Sequence, residues 1–293
     1  MSKYVKILCV VLILLASAGC SLQSNTGQVG DLTFDHGSAI GSNTIDEFQT
    51  QSPALMELDV KASTKKAAEQ EGKKPLKDMT VCVDPGHGKL TKKLKKTEPI
   101  APGATIMKAA TAGGTTGVAT KITEESLNLE VALKLRDALI EKGAKVIMVR
   151  ETHVCNMTNV ERTEFWNKSG ADLTVRIHAN GSTNKKVSGV LMMVPGNKYI
   201  KDKKLLEKSA KAGEFIMEAV LKNTKAKSMG TVKSNDLTGF NWSKIPVMLL
   251  EMGFMTNPEE DKLLNTASYQ EKIVNGIVEG VEKYYNYTKT NIK

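Results

Sequence analysis

From Met79 onward the chain alternates between two hydrophobic rhythms. The first is a short, nearly continuous apolar run: "MTVCVDPG" at 79–86, "AKVIMVR" at 144–150, "ADLTVRIHAN" at 171–180, "SGVLMMVPG" at 188–196 and "IPVMLLEMGF" at 245–254. Runs of this length and β-branched content predict buried strands. The second rhythm is helical. In "EESLNLEVALKLRDALIEKG", Leu127, Val131, Leu135, Ala138 and Leu139 share one face, and Gly143 supplies the stop. Residues 157–169 read as a further helix. Asp202 is the expected cap of a helix carrying Leu205, Ala212, Ile216 and Val220. Asn257, with Pro258 in the first turn and Glu260 reaching back, predicts a short helix. "SYQE" (268–271) predicts the start of the last helix, with Ile273, Ile277, Val281 and Tyr284 on its face. Strands alternating with helices predict an α/β fold: a mainly parallel, twisted sheet flanked by helices on both faces.

The first 77 residues break this pattern. "MSKYVKILCVVLILLASAGC" has two lysines, an apolar stretch and then small residues. That is the layout of an export signal, and it is too short for a membrane span of about 20 apolar residues. "ASAGC" resembles the lipobox of bacterial lipoproteins, which implies lipidation at Cys20. Ser17 stands where most lipoboxes have Leu, so cleavage after Ala18 is the alternative. An uncleaved anchor is the third reading, and all three place the body outside the cytoplasm: membrane-attached through a lipid on Cys20, secreted, or held by the uncleaved segment. Residues 21–77 are poor in large apolar side chains and read as a flexible tether. The folded domain is expected at 78–288, with a tail at 289–293.

The formal net charge is +9, which points to anionic partners. Lysine dominates and aromatics make up only 5% of the chain, which is poor material for stacking on bases. Nucleic acid is therefore set aside. Cys82 and Cys155 are the only cysteines of the body, too few for a disulfide framework, although a single bridge between them stays open. The 89–123 segment is expected to be a long loop. Its "KLTKKLKK" and "TAGGTTG" fit either a solvated mobile loop or a basic lid.

The chain has four histidines: His36, His87, His153 and His178. Ligands of parallel sheets bind outside the carboxyl ends of the strands. His87 follows the first strand, and His178 and Glu251 end two others, while Glu124 enters from the long loop. Two imidazoles and one carboxylate are the ligand set of hydrolytic zinc sites, which keep one coordination position open. A second carboxylate is then needed to shuttle a proton. Glu251 sits in an apolar run, where burial raises a carboxyl pKa as that task requires. His36 falls in the tether and His153 on a loop, and neither is assigned to the metal.

"VDPGHG", "EESLNL", "ADLTVRIHAN" and "PVMLLEMGFMTNPEE" stand in the order seen in zinc-dependent N-acetylmuramoyl-L-alanine amidases of the amidase type 3 family, which the chain resembles across residues 78–286. The resemblance implies one zinc ion held by His87, Glu124 and His178, with Glu251 as the catalytic acid/base. It implies hydrolysis of the amide between the lactyl group of muramic acid and L-alanine, and peptidoglycan as the partner. Glu124 rather than Glu125 matches because the family's ligand lies four residues before the Asn-Leu of its first helix. Arg150 and Arg162 match family arginines. Arg176 replaces a common serine; it holds a substrate carboxylate or pairs with an acid at the core edge. Asn180 is a second candidate substrate contact. The lysine-rich loop adds anionic wall polymers as a further partner class. No HExxH motif occurs, so a zincin-type peptidase is disfavoured.

Overall fold

The computed structural model describes residues 74–291. The export segment, Cys20, His36 and almost all of the expected tether lie outside the described residues. The strands are β1 (Thr80–Pro85), β2 (Thr97–Pro99), β3 (Met107–Ala109), β4 (Lys145–Met148), β5 (Leu173–Asn180), β6 (Val190–Pro195), β7 (Ser228–Ser234) and β8 (Val247–Phe254). The helices are α1 (Glu124–Glu141), α2 (Asn159–Asn167), α3 (Lys203–Thr224), α4 (Thr238–Asn241), α5 (Pro258–Leu264) and α6 (Ala267–Asn291). Six strands form one sheet in the order β4-β1-β5-β8-β6-β7. β4, β1, β5 and β8 are mutually parallel. β6 runs antiparallel to β8, so the sheet is mixed and mostly parallel.

Strand alternation sorts the side chains into two layers. Val81, Val83, Val175, Ile177, Met248 and Leu250 face the larger core beneath α1, α3 and α6. Cys82 faces the other way, against Trp166 of α2, and Leu249 lies against Phe240 of α4. α3 and α6 cross closely because α6 offers glycines: a β-carbon at Gly280 would meet the backbone of Ile216, with the amide nitrogen 2.8 Å away. Gly280→Ala is therefore expected to destabilise. The gain in helix propensity is about 1 kcal/mol, while overpacking against backbone costs about 1–3 kcal/mol. The observable is a fall in Tm of roughly 2–4 °C per kcal/mol of net loss in thermal unfolding.

The expected caps Asp202 and Asn257 each accept two backbone N–H groups at their helix starts. Glu260 reaches past Asn257 and accepts instead from Phe254 and Gly189. α6 begins at Ala267, one residue before the expected cap, and continues through most of the expected tail. Leu76, read as the end of the tether, is fully buried in the main core.

Two elements had weak signals in the sequence. β7 is an edge strand with mostly exposed, polar positions, so it lacks the apolar run that marks its neighbours. The 89–123 segment is not a featureless loop. It holds the β2–β3 hairpin, buries Glu98, Ile100, Ala101 and Ala110, and is pinned further along by Asp261. Asp261 is itself buried and accepts the amides of Ala119 (2.7 Å) and Thr120 (2.8 Å). Cys82 and Cys155 are both buried and free, so the open question of a bridge closes against it. Among the described residues no helix is long and apolar enough to cross a membrane.

Candidate metal centre

Because β1, β5 and β8 are parallel, their carboxyl ends share one edge of the sheet. His87 lies just beyond β1 with φ 59°, a left-handed conformation that costs a non-glycine residue about 1–2 kcal/mol. Hydrogen bonds to the turn hold it there. Arg150 donates Nε to the Pro85 carbonyl (3.0 Å) and Nη2 to that of Gly86 (2.9 Å). Arg162 donates to the carbonyls of Pro85 and His87. Arg150 and Arg162 therefore build the turn that presents the histidine. Gly86 is needed for another reason: a β-carbon there would collide with the His178 imidazole.

His87 Nδ1 lies 2.9 Å from the Ala112 carbonyl. A carbonyl only accepts, so Nδ1 carries the proton and Nε2 keeps its lone pair. That Nε2 is 3.0 Å from Glu124 Oε1. His178 Nδ1 approaches the same oxygen at 3.1 Å. Glu124 opens α1 and is 4% exposed. Asn128, one turn on, donates to Oε1 at 3.2 Å, and the Thr115 amide donates to Oε2 at 3.0 Å. One ligand atom from each of His87, Glu124 and His178 lies within 4.8 Å of the other two.

Burial opposes ionisation of Glu124, but the two imidazoles outweigh it and hold the carboxyl far below its usual range. Burial drives His178 down to about 4, so its ring is neutral at pH 7. Burial also lowers His87, yet hydrogen bonding and the charge of Glu124 outweigh that and shift it upward. Two ring nitrogens and a carboxylate thus converge, and a cation that displaced the protons between them would meet a lone pair from each. This donor set suits zinc and fits the group. His178 Nε2 and Glu251 Oε2 are buried in the same region without hydrogen-bond partners.

Glu251 is the register partner of His178 on the neighbouring strand. Burial raises its carboxyl well above the ordinary value, the negative charge of Glu124 raises it further, and Arg176 opposes both. Arg176 is not part of the cluster: its Nε donates to Asp84 Oδ2 at 2.8 Å, and its guanidinium lies 5.6 Å from the Trp166 ring centroid. Of its two readings, the structure supplies the acid. Asn180 ends β5, half-buried, with its side-chain oxygen accepting the Gly181 amide at 2.8 Å. His153 stands apart at 3.2 Å from Glu125, so Glu125 turns away from the cluster and Glu124 turns in.

Three parts of the centre carried no assignment in the sequence. Asp84 is fully buried between Arg162 (2.6 Å) and Arg176 (2.8 Å) beneath the site. Asn128 braces Glu124, and its spacing of four on one helix was the available signal. The "TAGGTTG" run, read only as flexible, is a wall of the site. A β-carbon at Gly114 would stand 2.9 Å from Glu124 and 3.1 Å from His87.

A family model described as N-acetylmuramoyl-L-alanine amidase matches residues 81–283. The germination-specific N-acetylmuramoyl-L-alanine amidase of Bacillus subtilis is 31% identical over 228 residues, spanning 72% of this chain and 81% of its own. The crystal structure of an N-acetylmuramoyl-L-alanine amidase from Clostridium difficile 630 superposes with a TM-score of 0.58 at 25% identity, over 73% of this chain and 99% of that one. An amidase from Mycobacterium smegmatis shares the fold, with a TM-score of 0.62 at 22% identity over 72% and 98% of the two chains. With a match over 81–283 and a His-Glu-His cluster at the carboxyl edge of its sheet, the chain belongs to the amidase type 3 family of zinc-dependent N-acetylmuramoyl-L-alanine amidases.

Proposed function

We propose that this protein hydrolyses the amide between the lactyl carbonyl of N-acetylmuramic acid and the nitrogen of L-alanine in peptidoglycan. The observation that carries the reading is the meeting of His87, Glu124 and His178 within 4.8 Å, with Glu251 beside His178 in register. His87, Glu124 and His178 would hold the ion. When bound there, zinc supplies a Lewis acid and acidifies water. Glu251, raised by burial, takes the proton of the attacking water and delivers it to the departing nitrogen. The Ala112 carbonyl and the Thr115 amide fix the His87 tautomer and the Glu124 carboxylate, so the ligands are oriented before the substrate arrives. Arg176, committed to Asp84, acts from below the site, and Asn180, at the end of the strand that carries His178, is the substrate contact of this proposal.

Mass analysis of digests tests the reading. New free L-alanine amino groups with an uncut glycan are expected. New reducing ends, or cleavage within the stem peptide, would refute it. We also propose that the protein works outside the cytoplasm, anchored by a lipid on Cys20. Fatty-acyl labelling should disappear in Cys20→Ser, and labelling that persists would remove the anchor.

A further inference from the structure

From Pro85 through Lys121 the chain carries seven lysines and a single acid, Glu98. Glu98 is fully buried, with both oxygens accepting the Val160 amide at 3.1 and 3.2 Å, so it presents no charge to the surface. The seven lysines are all exposed. Among the described residues only Lys95 of the seven has a carboxylate in reach, Glu98 at 3.8 Å.

The lysines stand on fixed backbone. The Lys89 amide donates to the His153 carbonyl at 2.7 Å, and the Cys155 amide returns a bond to the Lys89 carbonyl at 3.1 Å. Asn156 Oδ1 accepts the amides of Thr91 (3.0 Å) and Lys92 (3.3 Å). The Ala110 amide donates to the Lys96 carbonyl at 3.0 Å, closing the far end onto the hairpin. The result is a ridge rather than a lid, and it starts two residues after His87.

We infer that the Lys89–Lys96 ridge is an extended subsite for peptidoglycan, binding the carboxylates of stem peptides that neighbour the one being cut. The inference rests on the proposed substrate, a polymer whose glycan is uncharged and whose peptides bring repeated carboxylates. A row of exposed ammonium groups, of which Lys95 alone meets a carboxylate among the described residues, on a backbone tethered by hydrogen bonds at both ends complements such a repeat without fixing its register. Each contact is exposed and screened, so the attraction is collective and salt-dependent.

The test is binding, read without catalysis. The full chain carrying Glu251→Gln is co-sedimented with intact sacculi, with and without the added changes Lys92→Gln, Lys93→Gln and Lys96→Gln. These exposed changes avoid the Lys95–Glu98 pair, and thermal unfolding checks that the fold is retained. At low salt the triple change is expected to weaken binding about ten-fold. The difference should vanish near 0.5 M salt, where the screening length falls below about 5 Å. Amidating the sacculus carboxyls should abolish the ridge's contribution, whereas stripping covalently attached phosphodiester polymer should leave it intact. Equal binding by the two proteins at low salt overturns the proposal, and so does loss of the difference on stripping, which would assign the ridge to the phosphodiester polymer. The readout needs no hydrolysis, so failure of the ridge and failure of the amidase reading are separable.

Discussion

Glu251→Gln is expected to lose peptidoglycan hydrolysis by roughly 10²–10⁴-fold while retaining a full complement of metal. The substitution keeps the size and planarity of the side chain and removes only its ability to exchange a proton. Glu251 lies outside the three-residue cluster, so ion affinity should be little changed, whereas Glu124→Gln should lose both metal and activity. The environment explains why this carboxylate suits the task. Burial and the negative charge of Glu124 push it upward, and Arg176 alone opposes them. A carboxyl poised nearer neutrality exchanges protons in both directions at physiological pH. Turnover and zinc content measured on the same preparation decide the matter. An active Glu251→Gln enzyme would remove Glu251 from the mechanism. A parent protein that binds the wall and releases no product would make the chain a binding relative of the family.

Asp84→Ala is expected to destabilise the fold by about 3–5 kcal/mol, because it leaves two buried guanidiniums without a counter-charge. Asp84 has no exposed surface and holds Arg162 at 2.6 Å and Arg176 at 2.8 Å. Typical domains are stable by only about 5–15 kcal/mol, so much of the margin would go. The loss should reach the site as well, since Arg162 also donates to the turn that presents His87. Acid should mimic the substitution. Burial raises the Asp84 carboxyl, but Arg162 and Arg176 outweigh it and hold the folded value below the ordinary 3.8. A depressed folded pKa contributes stability that is complete above the unfolded value of about 3.9. It drains away as pH falls through the lower folded value. Urea midpoints measured from pH 7 down to pH 2 should fall steeply in the parent below pH 4, and less steeply in Asp84→Ala. Equal slopes would mean that Asp84 is not the titrating anchor.

Much of this architecture is legible in the amino-acid order because the strands that carry the chemistry are also the most apolar. β1, β5 and β8 are buried on both faces, so each reads as a nearly continuous hydrophobic run, and a His or Glu in or just after its last half stands out. The long amphipathic helices are equally plain. β7 escapes because an edge strand that faces water has no apolar rhythm to show. The 89–123 segment escapes for a different reason. Its order comes from distant partners, Asn156, Asp261 and the start of α2, and no local pattern records them. The same holds within the site. Glu124 could be separated from Glu125 by the resemblance to the family, but the place of Arg176 depends on Asp84, which is 92 residues away along the chain.

Anomalous diffraction at the zinc absorption edge, from crystals grown with equimolar zinc, examines the ion and its ligands in one observation. A single strong peak is expected among His87, Glu124 and His178. A peak bound elsewhere, or a fully active crystalline protein with no peak at those three side chains, would be incompatible with a zinc amidase built on this cluster.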